Sequence, residues 1–114
     1  MSDCIFCKIV AGDIPAEKVF ESDSLIAFKD LQPQAPLHTL VIPKRHIATI
    51  NDLQDGDAQL VGEMYLAAKQ IATDAGYAEP GYRTVMNCNL GAGQSVFHIH
   101  LHVLAGRPMT WPPG

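Results

Sequence analysis

A chain of 114 residues, 47 % apolar and 18 % charged, has the composition of one globular domain spanning 1–114, with no room for a second. A net charge of −4 and eight dispersed Lys and Arg residues leave no electrostatic footprint for a nucleic-acid polymer. No charged and apolar leader opens the chain and no apolar run approaches the ~20 residues that span a bilayer, so a cytoplasmic protein with no membrane partner is expected. Three cysteines, an odd number, argue for thiols or metal ligands over a disulfide framework.

Along the chain, Ile5, Phe6 and Ile9 stand at helical spacing, which predicts a short helix over 4–10 with Asp3 as cap and Gly12 as stop. Residues 18–21 and 25–28 flank Ser22-Asp23-Ser24 and read as an antiparallel hairpin. Pro36 and Pro43 fence His38 to Ile42 into a third strand. Leu60, Met64, Ala67, Ala68 and Ile71 recur at three- and four-residue intervals and predict one long helix over about 56–75. Residues 82–86 and 96–104 read as the last strands. The expected fold is α+β, an antiparallel sheet of about five strands with a short N-terminal helix and a long central one.

The last strand carries His98, His100 and His102 at alternate positions, three of the chain's five histidines. On a strand their imidazoles share one face, and Phe97, Ile99, Leu101 and Val103 the other, core-directed face. Three readings are open: ligands of a catalytic metal, packed residues, or nucleophilic catalysis at phosphorus, where a neutral imidazole attacks and neighbouring donors hold the phosphoryl oxygens. The preceding 87–95 segment is small, polar and rich in main-chain N–H donors, the composition of an anion-wrapping loop, and favours the third.

The run Gly-Gln-Ser-Val-Phe-His-Ile-His-Leu-His-Val-Leu-Ala-Gly-Arg resembles the signature of the histidine triad (HIT) family, His-φ-His-φ-His-φ-φ with φ apolar. Ala35 to Lys44, the opening Ile5-Phe6-x-Lys8-Ile9 with Ile14-Pro15-Ala16, and the ending Trp111-Pro112-Pro113-Gly114 resemble its histidine triad nucleotide-binding branch. The resemblance implies a HIT-like fold and hydrolysis of purine nucleoside phosphoramidates or acyl-nucleotides through a nucleotidyl-histidine, without a catalytic cofactor. It implies His100 as nucleophile, His102 and His38 as phosphate-contacting histidines that assist proton transfer, and Ser95 as hydrogen-bond donor to the leaving atom. Gly93, Gln94 and Asn87 match further polar positions at the phosphate, and Asp30 the acid that holds the ribose hydroxyls. Ile5, Phe6, Ile9, Phe28 and Leu31 match the apolar walls of the base pocket, and His98 would orient His100. Rival readings are a nucleotide-binding regulatory module with incidental hydrolysis, a dinucleoside polyphosphate hydrolase, and a zinc hydrolase.

Cys4-x-x-Cys7 reads from the residues alone as half a metal site or as two small thiols on a helix. Some bacterial relatives with such a pair hold a structural zinc with two histidines, which by position implies His46 and His98 here; a site filled by four protein ligands has no place for water. Trp111, the only tryptophan, lies in an ending that can form neither helix nor central strand. The resemblance implies a homodimer in which this tail lies along the subunit interface.

Overall fold

The structure, a computed structural model, describes residues 3–114. Helix α1 (Ile5–Ala11) ends where expected, at Gly12, whose φ of 84° lets its N–H turn back onto the Ile9 carbonyl. Its cap is Cys4 and not Asp3: Cys4 has extended backbone, and its Sγ accepts the Cys7 N–H at 3.4 Å. Strands β1 (Lys18–Glu21) and β2 (Leu25–Lys29) form the predicted hairpin, its turn closed by Ser22 Oγ accepting the Leu25 N–H at 3.1 Å. Then follow β3 (Leu37–Pro43), 3₁₀ turns at Ile50–Asp52 and Asp55–Asp57, the long helix α2 (Ala58–Asp74), β4 (Arg83–Val85), a 3₁₀ turn at Leu90–Ala92, and β5 (Leu101–Ala105). Helix α2 starts two residues later than its periodicity suggests because the Asp55–Asp57 turn takes up the start.

All five strands pair antiparallel in the order β1-β2-β3-β5-β4. Alternation divides the sheet into two apolar faces. Leu25, Ala27, Val41, Leu101 and Val103 meet Met64, Ala67, Ala68 and Ile71 of α2 on one side. Ile26, Phe28, Leu40 and Ile42 meet Phe6 and Ile9 of α1 on the other. His38, Leu40 and His102 alternate with the α2-facing residues and therefore belong to the α1 face. The register sets Leu40 opposite His102 and His38 opposite Leu104, which brings the two imidazoles together diagonally. Among the described residues no helix is long and apolar enough to cross a membrane.

The predicted 96–104 strand is shorter than expected. β5 begins only at Leu101, so His98 and His100 precede the ladder and only His102 lies within it. Continuing the β3–β5 register beyond Val41 and Leu101 would bring the ladder to Pro43, which has no N–H to give. The Ile99 N–H instead donates to the Ile47 carbonyl at 2.8 Å. Phe97, expected on the core face with Ile99, Leu101 and Val103, is 45 % exposed while those three are fully buried.

Candidate active site

The chemistry of the histidines follows from which ring nitrogen is already committed. His100 is buried, and its Nδ1 lies 2.8 Å from the main-chain carbonyl of His98. A carbonyl only accepts, so Nδ1 carries the hydrogen and Nε2 keeps its lone pair. His98 thus orients His100 as expected, but through its backbone. Burial is the main influence on the His100 imidazole and lowers its pKa, against smaller raising effects from the His98 carbonyl and Asp30. Phe6 closes one side, its ring edge-on to His100 with centroids 5.1 Å apart.

His38 and His102 form a directed chain. The main-chain N–H of Gln34 donates to His38 Nδ1 at 3.0 Å; an amide N–H can only donate, so the neutral His38 ring carries its hydrogen on Nε2. That Nε2 lies 2.9 Å from His102 Nδ1 and donates to it, which leaves the hydrogen of His102 on Nε2. His102 lines the cleft, whereas His38 stands behind it. Burial pushes the pKa of His38 down, and burial together with the neighbouring His100 and His38 pushes that of His102 down to about 4. Asp30 Oδ2 stands 3.4 Å from His38 Nε2, while its Oδ1 accepts the Gln32 N–H at 2.8 Å. Asp30, His38 and His102 also lie within ligand distance of one another. The hydrogen on His38 Nε2 occupies the position a metal would need.

The 87–95 loop approaches from the other side. Asn89, with φ 67°, and Gly93, with φ 84°, make its turns. Gln94, expected at the phosphate, is turned inward and only 2 % exposed: it accepts the Asn89 N–H at 2.7 Å and donates to the carbonyls of Ala48 at 2.8 Å and Val96 at 3.1 Å. It braces the loop and offers its side chain to nothing outside. Ser95, exposed, reaches the cleft beside His100 and His102; Gly93 and Asn87 do not line it.

The cleft has a volume of ≈ 240 Å³. Ile5, Phe6, Ile9 and Phe28 wall it as expected, with Asp30 at the same rim. Leu31 also borders it but is 97 % exposed, a rim residue and not a wall. Ile14, Pro15, Ala16, Leu40 and Val96, with the charged Glu17 and Lys29, also line it and were not assigned to it from sequence. An apolar Ile-Pro-Ala run in a loop was the available signal. A larger hollow of ≈ 450 Å³ between the β1–β2 turn and α2 contains no histidine and no part of the glycine loop.

Outside the cleft lining, Cys4, Cys7, His46 and His98 converge with all donor atoms within 4.8 Å. His98 Nε2 donates to the Pro43 carbonyl at 2.7 Å, so its Nδ1 is a bare lone pair facing the sulfurs. The separations are 3.4 Å from Cys4 Sγ to His98 Nδ1, 3.5 Å and 3.2 Å from Cys7 Sγ to His98 and His46 Nδ1, and 3.3 Å between the two Nδ1 atoms. A tetrahedral zinc with ordinary bond lengths requires edges of about 3.5 Å for sulfur–nitrogen and about 3.3 Å for nitrogen–nitrogen. The four residues fit zinc.

The scavenger mRNA decapping enzyme C-terminal binding family matches residues 3–111. The chain is 46 % identical over 107 residues to the purine nucleoside phosphoramidase of Escherichia coli K12, covering 94 % of this chain and 90 % of that one. It is 56 % identical to a HIT family hydrolase from Legionella pneumophila of solved structure, with a TM-score of 0.97 and coverage of 98 % and 100 %. A zinc-bound histidine triad family protein from Mycobacterium smegmatis superposes with a TM-score of 0.82 at 37 % identity, covering 92 % of this chain and 76 % of that one. These likenesses run through the triad and both ends of the chain, and the chain belongs to the histidine triad family, as a hydrolase.

Proposed function

We propose that the protein hydrolyses purine nucleoside phosphoramidates or acyl-nucleotides, releasing the nucleoside monophosphate through a nucleotidyl group carried on His100. The observation that carries this reading is the committed Nδ1 of His100, which leaves a lone pair on Nε2 of a neutral, buried ring beside an apolar cleft. Nε2 attacks the α-phosphorus as the bond to the leaving amine or carboxylate breaks. The hydrogen on His102 Nε2 and the Ser95 hydroxyl are the donors available to the leaving atom, and both line the cleft. The leaving group takes its proton from a water at the cleft, and the hydroxide equivalent that remains displaces His100 from phosphorus, which returns the neutral ring while His102 and Ser95 only hydrogen-bond the departing atom. The likeness to the E. coli phosphoramidase supports the substrate class.

The apolar walls suit a purine base and the Asp30 carboxylate suits adjacent ribose hydroxyls. In the 93–95 loop the N–H groups of Gly93 and Gln94 are already given to the Leu90 and Asn89 carbonyls at 3.0 and 3.1 Å, so stabilisation of the phosphoryl oxygens falls to the cleft donors Ser95 and His102. Zinc held by Cys4, Cys7, His46 and His98 would be structural, stapling α1 to the segment that follows β3 and the segment that precedes β5. The chain acts as a homodimer: Trp111 is 82 % exposed, and Arg83 Nη2 ties the tail to edge strand β4 through the Thr110 carbonyl at 3.1 Å. Light scattering at micromolar concentration decides that assembly.

The test is turnover of a panel of adenosine phosphoramidates, acyl-adenylates and diadenosine polyphosphates by wild type and His100→Ala. The variant should bind AMP and lose several powers of ten in rate. Retention of a tenth of wild-type turnover would exclude His100 as nucleophile.

A further inference from the structure

We propose that Gly106 and Arg107, where the chain leaves β5, are positioning residues that set which nitrogen of His38 carries its hydrogen, by clamping the 30–36 loop. The kinetic consequence rests on the hydrolase reading above; the structural claim does not.

Among the described residues, the one donor that faces His38 is the main-chain N–H of Gln34, at Nδ1. That amide belongs to an irregular loop whose internal bonds are few: Gln34 Nε2 donates to the Gln32 carbonyl at 3.1 Å, and the Gln32 N–H donates to Asp30 Oδ1 at 2.8 Å. Two contacts from the end of β5 hold the loop from outside. Arg107 Nε donates to the Gln34 carbonyl at 2.7 Å, so one residue gives its N–H to His38 and its C=O to Arg107. The guanidinium is itself turned back by a 3.1 Å bond from Nη1 to the Pro108 carbonyl.

Beside it, Gly106 adopts φ +98°, and a Cβ there would lie 2.8 Å from Pro36 Cβ and 2.8 Å from the Tyr77 hydroxyl. Only glycine allows this approach of β5 to the loop. The glycine brings the loop close and the arginine fixes its rotation.

The groups facing His38 make the clamp consequential. Asp30 Oδ2 and His102 Nδ1 both face its Nε2, and Gln34 faces its Nδ1. If the Gln34 N–H withdraws, only the two acceptors at Nε2, Asp30 and His102, still favour that nitrogen, and the hydrogen is free to populate Nδ1 as well. His38 Nε2 would then no longer donate to His102, and the hydrogen of His102 would no longer be confined to the nitrogen that serves the cleft. Arg107 touches neither substrate nor reacting atoms; it acts through the loop.

The test is ¹⁵N NMR of the histidine rings in the full-length, zinc-loaded protein, comparing wild type with Arg107→Ala and Arg107→Lys. Arg107 is exposed, so its truncation leaves the core intact. Wild type should show His38 with its hydrogen on Nε2 alone. Arg107→Ala should show a mixture of the two forms, with kcat lowered about three- to ten-fold, the range of a single hydrogen bond, and KM within about two-fold. Arg107→Lys, which keeps a donor, should restore the wild-type pattern in part. An unchanged His38 spectrum in Arg107→Ala, or a wild-type His38 protonated on Nδ1, would overturn the clamp. Undiminished turnover in His100→Ala would instead remove the covalent mechanism of the proposed function and leave the ring measurement to judge the clamp alone.

Discussion

Truncating Phe6 to alanine tests whether α1 is held by its apolar face and whether that face shapes the chemistry. Phe6 is buried, packs edge-on against Phe28 with centroids 5.5 Å apart, and touches the rings of His98 and His100. Helix α1 has seven residues and two buried side chains, Phe6 and Ile9, too short a segment to be stable alone. Removing a buried phenylalanine side chain costs about 3–5 kcal/mol, out of about 5–15 kcal/mol for a whole domain. At about 4 °C per kcal/mol for a chain of this size, the melting temperature should fall by about 12–20 °C. Phe6→Leu, which keeps most of the volume, should cost about 1–1.5 kcal/mol. Calorimetry gives the stability, and turnover of an adenosine phosphoramidate well below the transition gives the chemistry, which should weaken in both variants because Phe6 also walls the cleft. A melting temperature for Phe6→Ala within about 3 °C of wild type, less than 1 kcal/mol, would refute this account of how α1 is docked.

Thr39→Val should stabilise the protein by about 1 kcal/mol, because Thr39 Oγ1 is buried without a hydrogen-bond partner among the described residues; denaturant unfolding checks this. Metal analysis should find one zinc per chain in protein prepared without chelator, and chelation should lower the melting temperature; unchanged melting would exclude the site. Stability should decline as pH falls from about 6.5 toward about 4: His102 is pushed down to about 4 and His38 is also lowered, so the unfolded chain takes up protons in that window before the folded one does. For the same reason turnover should hold as pH drops through 6.5, the ordinary histidine value, and an acid limb centred there would contradict the neutral His38–His102 pair.

Much of this fold is written in local patterns. The two helices follow from three- and four-residue apolar spacing, and the first hairpin from two apolar runs about a serine turn, because those periods are properties of single segments. The start of β5 is not local: it depends on Pro43 lying across the ladder, which only the strand register reveals. His38 standing behind His102 is likewise a consequence of register, and the inward turn of Gln94 depends on the distant Ala48 carbonyl. Conversely, the Cys4, Cys7, His46 and His98 set suggested by the family resemblance converges with edges that suit zinc, although its members come from three separate segments. The Ile14-Pro15-Ala16 wall escaped because a loop carries no period to show which way its side chains face.

The central claim is that the nucleotidyl group passes through His100 before reaching water. The stereochemical course at phosphorus tests it most directly, using an adenosine phosphoramidate made chiral with sulfur and heavy oxygen and hydrolysed in isotopically labelled water. Each in-line displacement inverts phosphorus, so attack by His100 followed by attack of water predicts net retention. Net inversion would mean that water attacks the substrate in a single step and would contradict the covalent mechanism.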